Sequence, residues 1–251
     1  MQTTNATTPN ACLIIIGNEI LSGRTQDKNI AWIASHLNEI GVKLAEVRII
    51  ADIEQTIIGT VNYCRKIYDY IFTTGGIGPT HDDITTESIA KAFGVELAMN
   101  PEARNILSKH YGEENLNKAR LKMAIIPVGA RLIYNPVSAA PGFVIENIFV
   151  MAGVPSIMQA MFDNIKVELK GGAKTISKTL SIYLTEGLIA EGLTNVQNQF
   201  LDVEIGSYPF IRNNRLGTSL VLRTTDNQRL NICYDVLKEF LLTITNEIEE
   251  E

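Results

Sequence analysis

Short apolar runs alternate with amphipathic stretches through the first two thirds of the chain. Residues 12–16, 42–51 and 69–72 are β-prone runs that predict buried strands. Apolar residues at helical spacing over residues 30–40 and 53–68 predict helices between these strands. Strands and helices that alternate at this spacing predict a parallel sheet with helices on both faces.

The order of the predicted elements changes after residues 170–173, Lys-Gly-Gly-Ala, which have the composition of a linker. The pattern beyond them predicts a strand, a helix, two strands and a last helix that ends near Ile248. We therefore expect an α/β chain: a three-layer parallel-sheet domain over residues 11–170 and a small α+β lobe of βαββα order over residues 174–251. The polar residues 1–10 are expected to form a disordered tail.

The composition and charge of the chain argue against some classes of binding partner. The chain has 251 residues, 45% of them hydrophobic, and a mean hydropathy of +0.07, values typical of soluble globular proteins. A formal net charge of −6 and the lack of a basic cluster argue against nucleic acid as a partner. Apolar runs are too short to span a bilayer, so no membrane partner is expected. The widely spaced cysteines Cys12, Cys64 and Cys233 predict reduced thiols and a cytoplasmic location.

A glycine-rich stretch, Thr-Thr-Gly-Gly-Ile-Gly-Pro-Thr-His-Asp-Asp over residues 73–83, joins the third predicted strand to a helix over residues 84–94. Open parallel sheets bind ligands where a strand ends and a helix begins. Glycines let backbone N–H groups approach an anion, and the start of a helix favours phosphate. The spacing matches neither a P-loop nor a dinucleotide-binding fingerprint. The stretch therefore predicts a site for a small phosphorylated ligand, with ligand-binding residues Thr74, Gly75, Gly76, Gly78, Pro79 and Thr80.

Three acidic residues, Asp82, Asp83 and Glu87, are the candidate catalytic residues. Asp83 and Glu87 lie one helical turn apart, so they are the candidate ligands of a divalent metal such as Mg²⁺, Mn²⁺ or Co²⁺. Two adjacent aspartates repel each other unless a cation lies beside them, which favours that interpretation. The alternatives are an N-cap role for the aspartates and an exposed first-turn position for Glu87.

A polar loop follows the first predicted strand, at the same edge of the sheet as the glycine-rich stretch. Its acids Glu19 and Asp27, and Asn29 at its end, are further candidate ligand-binding residues. The alternatives are solvated loop carboxylates and a helix-capping role for Asn29. His81 has two interpretations, a phosphate contact or an exposed loop histidine.

Residues 73–87 resemble the signature of the molybdopterin-binding (MoCF) fold, in which Thr-Thr-Gly-Gly-x-Gly is followed by four variable positions and an aspartate. More narrowly, the chain resembles the N-terminal portion of the competence/damage-inducible protein A (CinA) family. The resemblance extends through most of the chain, over residues 17–29, 126–135, 139–143, 153–156 and 204–209. It adds Gly153 and Pro155 to the candidate ligand-binding residues.

The resemblance implies a function as well as a fold. In the wider fold family the glycine-rich loop binds a pterin phosphate or a nucleotide, and the aspartate aligned with Asp83 is essential. Some members transfer an adenylyl group to molybdopterin. The CinA-type branch is associated with metal-dependent cleavage of pyrophosphate bonds in ADP-ribose-like dinucleotides, and a related domain precedes FAD synthase in eukaryotes. The family's separate amidase domain has no counterpart here, so deamidation is not expected.

The expected function is therefore a metal-dependent nucleotide pyrophosphatase that acts on ADP-ribose-like dinucleotides. The alternative is a protein of molybdenum cofactor biosynthesis that binds molybdopterin or a nucleotide, with adenylyl transfer or without catalysis. A homodimer is also expected, because dimers are typical of the CinA-type branch and a small lobe buries little surface alone. The last predicted helix carries an apolar face that would need either the main domain or a second subunit to cover it, formed by Val236, Leu237, Phe240, Leu241 and Ile244.

Overall fold

The computed structural model describes residues 8–250 and divides into two compact units, Met1–Gly172 and Ala173–Glu251. Residues 1–7 of the predicted tail lie outside the described residues. Asn10, which the sequence pattern assigns to that tail, is the first residue of the first strand. Its N–H donates to the Asp69 carboxylate at 2.8 Å, and the Asp69 N–H donates to the Asn10 side-chain oxygen at 2.9 Å. This reciprocal pair extends the strand beyond its apolar run.

Alternating strands and helices make up the first unit. The strands are β1 (Asn10–Ile16), β2 (Lys43–Ile50), β3 (Tyr70–Thr74), β4 (Leu97–Met99), β5 (Ile125–Pro127), β6 (Arg131–Ile133), β7 (Gly142–Ile145) and β8 (Ile148–Met151). The α-helices are α1 (Asn18–Leu21), α2 (Asn29–Glu39), α3 (Glu54–Cys64), α4 (Thr85–Phe93), α5 (Pro101–Tyr111), α6 (Lys118–Lys122) and α7 (Pro155–Ile165). No helix within residues 8–250 combines the length and apolar character needed to cross a bilayer.

Six of these strands form one sheet in the order β2-β1-β3-β8-β7-β6. β2, β1, β3 and β8 run parallel, whereas β7 pairs antiparallel with β8 and β6. Side chains alternate along β1, so that Leu13 joins a core with Ile33 and Phe162, and Ile14 joins a second core with Ile89 on the other face. The predicted α/β fold, a largely parallel sheet between two helical layers, is confirmed.

Several boundaries differ from the predicted ones. The polar loop after β1 contains the short helix α1, and the helix predicted to reach Tyr68 ends at Cys64. β3 continues past Phe72 to Thr74, because its backbone pairs with β1 on one side and β8 on the other. The chain between α4 and β6 also includes a two-stranded antiparallel ribbon, β4 with β5. These strands are only three residues long, too short for a periodicity to be recognised.

The second unit is a four-stranded antiparallel sheet with two helices. Its elements are β9 (Ile176–Ile182), α8 (Glu186–Gln199), β10 (Glu204–Arg212), β11 (Arg215–Thr224), α9 (Asn227–Leu242) and β12 (Ile248–Glu250). The strand order is β10-β11-β9-β12. Leu180 and Leu222 of the sheet pack with Leu230 and Leu237 of α9 in one core. The expected α+β lobe is therefore present, with one strand more than the predicted βαββα order.

The last helix is shorter than predicted, and its apolar face has a different role. α9 ends at Leu242, and the chain returns as β12, where Ile248 pairs with Ile182 of β9. Leu237 and Leu241 of α9 are fully buried in the core of the second unit itself. The prediction that this face needs the main domain or a second subunit is wrong for Leu237 and Leu241, because the lobe's own core covers them.

Candidate phosphate-binding site

A cleft of about 620 Å³ lies where the parallel strands β1, β3 and β8 end. Each strand leads into a loop that contributes to its lining, starting at Gly75 after β3 and at Ala152 after β8. Backbone groups at the carboxyl ends of parallel strands are free of strand pairing, so they are available to a ligand. The cleft is also within the range of volumes typical of small-molecule sites.

The backbone of the glycine-rich loop accepts no larger residue at two positions. Gly75 and Gly76 have φ values of +102° and +69°, in the region that favours glycine. A Cβ on Gly75 would clash with the Ile16 carbonyl oxygen, and one on Gly76 would clash with the Thr85 hydroxyl. The Gly75 N–H donates to the Met151 carbonyl at 3.2 Å, which ties the loop to the end of β8. The glycines therefore fix the path of the loop.

That path leaves three consecutive hydrogen-bond donors unpaired. Within residues 8–250, no group accepts a hydrogen bond from the backbone N–H of Gly76, Ile77 or Gly78. All three residues are partly exposed and line the cleft. Consecutive unpaired N–H groups bind anions, because together they supply partial positive charge and several donors. The arrangement can hold a phosphate oxygen without any cationic side chain.

The two aspartates lie beside these donors and are held by one threonine. The Thr80 N–H donates to Asp83 Oδ2 at 2.8 Å. The Thr80 hydroxyl lies 2.5 Å from the same oxygen and 2.6 Å from Asp82 Oδ1. This hydroxyl, before any other group, holds the pKa of the Asp82 carboxyl below its ordinary value. Within residues 8–250, no other residue donates a hydrogen bond to Asp82 Oδ2 or to Asp83 Oδ1, so each carboxylate keeps an oxygen available to a ligand.

A lysine from a neighbouring helix fixes the backbone on both sides of the aspartates. Lys122, the last residue of α6, donates through Nζ to the carbonyl oxygens of Thr80 and Asp83, both at 2.8 Å. A positively charged donor makes a stronger hydrogen bond to a carbonyl than a neutral one does. Lys122 therefore holds the segment that carries Asp82 and Asp83.

The structure brings many of the sequence-predicted residues into this cleft. The cleft is lined by the predicted residues Glu19, Gly75, Gly76, Gly78, Pro79, Asp82, Asp83, Gly153 and Pro155. Thr80 supports the aspartates from outside the lining. Glu87 is exposed on the first turn of α4 and does not line the cleft. Within residues 8–250, no three His, Cys, Asp or Glu side chains converge closely enough to form a ready metal cage.

Three predicted residues have supporting positions below or beside the cleft. Asp27 Oδ1 accepts from the N–H groups of Asn29 and Ile30 at 3.0 and 2.8 Å, so it caps the start of α2. Asn29 Nδ2 donates to the Gly153 carbonyl at 2.9 Å and joins two of the loops that surround the site. Thr74 is buried, and its hydroxyl has no partner among the described residues. Asp27 therefore takes the capping role considered for Asn29.

Other residues that line the cleft were not predicted. Asp52 follows β2 at the same sheet edge, and its carboxylate accepts from the Asn18 N–H at 2.8 Å. Its position after a parallel strand is a signal that sequence inspection could have used. Others include Thr25 and Asn135, which lie in the family-like stretches 17–29 and 126–135, and Tyr111, Met123 and Ser138, which lie in none of those stretches. They come from segments whose approach to the glycine-rich loop depends on tertiary folding.

Two family models together match nearly the whole chain. The model described as probable molybdopterin binding domain matches residues 12–170. The model described as FAD synthase, middle domain, matches residues 174–246. The two matches fall on the two compact units of the structure.

Individual relatives agree with these matches. A protein of Archaeoglobus fulgidus is 37% identical over 197 residues, which are 78% of this chain and 84% of that protein. A probable FAD synthase of Caenorhabditis elegans is 29% identical over 92% of this chain, and the chain spans about half of its length (50%). A solved structure, the protein CinA with unknown function from Thermoplasma acidophilum, is 35% identical, with a TM-score of 0.61, and the match covers 64% of this chain and 98% of that one.

Proposed function

The chain belongs to the family of probable molybdopterin-binding domains and is CinA-like, and from this premise we propose that it is a divalent-metal-dependent nucleotide pyrophosphatase acting on ADP-ribose-like dinucleotides. One observation carries the proposal. The unpaired N–H groups of Gly76, Ile77 and Gly78 line the same cleft as the carboxylates of Asp82 and Asp83. A phosphate group and a cation that neutralises it both find suitable partners there.

The backbone donors favour a phosphorylated ligand over an uncharged one. An oxyanion that accepts hydrogen bonds from fixed backbone N–H groups requires no reorganisation of side chains on binding. Helix α4 begins shortly after the loop, and the positive end of its dipole favours a negatively charged ligand. Glu19 and Asp52 supply further polar groups in the lining, suited to hydroxyl groups of a ribose.

The acidic pair fits a magnesium-like cation that a substrate completes. Mg²⁺ commonly retains several waters and binds one or two carboxylates together with substrate phosphates. The free oxygens of Asp82 and Asp83 meet that requirement, whereas Glu87 is placed outside the cleft. When bound, such a cation stabilises charge on phosphate oxygens as a Lewis acid. Thr80 holds the two carboxylates directly, and Lys122 holds the backbone that carries them.

Product analysis tests the proposed function. Purified protein is incubated with ADP-ribose and with FAD in the presence of Mg²⁺, Mn²⁺ or Co²⁺, and nucleotides are separated by chromatography. The proposal expects AMP to be released from the pyrophosphate bond and the reaction to stop when the cation is chelated. FAD is in the panel because a relative is a probable FAD synthase and the second unit matches that enzyme's middle domain.

A second candidate is binding of molybdopterin or a nucleotide without pyrophosphate cleavage. It is favoured by the lack of a three-ligand metal cage within residues 8–250 and by the family's name. Under this candidate, calorimetry detects tight binding while no cation supports turnover. Adenylyl transfer, the catalytic form of this candidate, requires ATP consumption that depends on added pterin.

A further inference from the structure

We propose that Tyr111 selects ligands with a planar heteroaromatic ring, by stacking on the ring while the glycine-rich loop holds the phosphate; the inference rests on the proposed phosphorylated ligand. Tyr111 is the last residue of α5, is half-buried and lines the cleft. Met123, just after α6, lines the cleft with it. Side by side, an aromatic and a thioether side chain provide a surface for a flat apolar ring.

The segment between α5 and α6 braces this ring. The Arg120 guanidinium carbon lies 4.2 Å from the centre of the Tyr111 ring. Arg120 donates to the Asn115 carbonyl at 2.7 Å, and Asn115 Nδ2 donates to the Tyr111 carbonyl at 2.9 Å. Tyr111, Arg120 and Asn115 therefore form a closed set of contacts, called the brace below: the Tyr111 ring contacts Arg120, Arg120 bonds to Asn115, and Asn115 bonds to the Tyr111 backbone.

Two further contacts hold the members of the brace in place. The Asn117 side chain accepts from the Arg120 N–H at 2.9 Å and caps α6. The His110 ring meets the Tyr111 ring edge-on, with centres 4.7 Å apart. A ring fixed before the ligand arrives loses little conformational freedom on binding, so more of the stacking energy appears as affinity.

The geometry assigns the role to the ring and not to the hydroxyl. The Tyr111 hydroxyl makes no hydrogen bond to any residue within 8–250, whereas the ring has a cation and an aromatic edge against it. A purely structural role is the competing account, because Tyr111 also packs on the buried cluster of Ala103, Leu107 and Ala124. The two accounts differ in how a substitution affects ligands with and without a ring.

Calorimetric titration with three phosphorylated probes, each with Mg²⁺, separates these accounts. AMP carries a purine, FMN carries a flavin, and ribose 5-phosphate carries no aromatic ring. Stacking of a base on an aromatic side chain contributes about 1–3 kcal/mol, so Tyr111→Leu should weaken AMP and FMN about 5- to 150-fold. Ribose 5-phosphate should bind Tyr111→Leu as it binds the wild type, and Tyr111→Phe should bind all three probes normally.

Each other outcome has a defined meaning. An equal loss for all three probes in Tyr111→Leu overturns the inference, and so does unchanged binding of AMP and FMN. In both cases, binding of the probes to the wild type still supports the proposed phosphate site. Failure of the wild type to bind any of the probes overturns the proposed phosphate site and the inference together. If Tyr111→Leu does not fold, Arg120→Gln replaces it. Arg120→Gln should weaken the binding of AMP and FMN and leave that of ribose 5-phosphate unchanged. An equal loss for all three probes, or no loss for any of them, again contradicts the inference. A loss confined to AMP or to FMN, with ribose 5-phosphate unchanged, supports the inference and identifies which ring the cleft prefers.

Discussion

Steric contacts and hydrogen bonds restrict which residues individual positions in the cleft can accept. Gly76 is the clearest steric case, because its left-handed backbone and the nearby Thr85 hydroxyl exclude a Cβ. Asp83 is the clearest polar case, since one of its oxygens is held by Thr80 while the other stays free. Outside the cleft, Glu46 combines a phenol and a guanidinium as partners. Each case leads to a measurable consequence of one substitution.

Gly76→Ala should lower the free energy of unfolding by about 1–3 kcal/mol, because it forces alanine into a strained backbone region against Thr85. The matched control is Gly59→Ala in α3, where a Cβ meets no atom within 4 Å and the backbone is helical. The control should raise stability by about 0.5–1 kcal/mol. Urea denaturation measures both. A Gly76→Ala variant as stable as the wild type would contradict the geometry described for the loop.

Tyr68→Phe should lower the free energy of unfolding at neutral pH and change how that free energy depends on pH. The Tyr68 hydroxyl donates to Glu46, which also accepts from Arg48 at 2.9 Å. The hydrogen bond from Tyr68, followed by the one from Arg48, lowers the pKa of Glu46 below its ordinary value of 4.5. The same hydrogen bond between Tyr68 and Glu46 is the main cause that raises the pKa of Tyr68 to about 12. Since Glu46 is about one third exposed, the expected loss is about 1 kcal/mol.

The pH profile of that loss has a definite sign. A lowered carboxyl pKa stabilises the fold above its ordinary value of 4.5, and the contribution disappears as pH falls through the lower folded value. A raised phenol pKa stabilises the fold below its ordinary value of 10.0, and this is lost as pH rises through about 12. The difference between wild type and Tyr68→Phe should therefore be largest between these limits. A difference that is constant from acid to alkaline pH would contradict the pairing; Tyr63→Phe serves as the control.

At the scale of elements, the site depends on a segment remote from it in sequence. α6 ends at Lys122, which binds two carbonyls of the acidic segment, and α5 ends at Tyr111, which lines the cleft. The segment from α5 to α6 therefore supplies one wall of the cleft and, through Lys122, a clamp on the backbone that carries Asp82 and Asp83. Its role follows from packing and not from any motif.

Lys122→Met should loosen residues 76–83 and lower the proposed pyrophosphatase activity. The substitution removes two charge-assisted hydrogen bonds, and loss of supporting contacts of this kind typically costs about 10- to 100-fold in activity. Hydrogen exchange of the loop amides and steady-state rates measure the two effects. Lys122→Arg should restore part of both, and Lys118→Met, on an exposed position of the same helix, should change neither. Normal loop exchange in Lys122→Met would refute the clamp.

The sequence reveals those elements whose pattern is local. Periodicity indicates β1, α2 and β3, and the cluster of glycines after β3 locates the loop that lines the cleft, because each signal lies within a few consecutive residues. Tyr111 and Lys122 approach the loop only through tertiary packing, so no spacing in the sequence shows them. The strand β12 is missed for a related reason: three residues gain their partner, β9, from a distant part of the chain.

The whole molecule consists of two units that each bury a core of their own. Large fully buried side chains such as Phe72 and Phe162 belong to the first unit, and Leu220 and Leu237 belong to the second. Each unit also matches its own family model. The apolar surface left for a partner is therefore smaller than the sequence pattern suggests. On the second unit it includes Ile211 and Leu216 at the end of the β10–β11 hairpin, which are 70% and 59% exposed.

A homodimer remains the prediction for the assembly, with that hairpin end as the proposed contact. Light scattering at micromolar concentration should give the mass of two chains, where one chain is 27.7 kDa. The double variant Ile211→Lys, Leu216→Lys should shift the mass to one chain, because paired exposed apolar residues are replaced by like charges. Lys174→Glu, a charge change elsewhere on the second unit, is the control. A wild-type chain that scatters as a monomer would rule out the dimer.

The most direct test of the proposed function compares the wild type with Asp83→Asn in AMP release from ADP-ribose. The amide keeps the size of the side chain and can still accept from Thr80, so folding should change little and nucleotide binding without a cation should persist. It removes the negative charge proposed to hold the cation, so the rate should fall by more than the roughly 10- to 100-fold that loss of a supporting contact costs. Thermal unfolding and calorimetry on the same samples verify the fold and the binding. An Asp83→Asn variant that releases AMP at the wild-type rate would contradict the proposed pyrophosphatase.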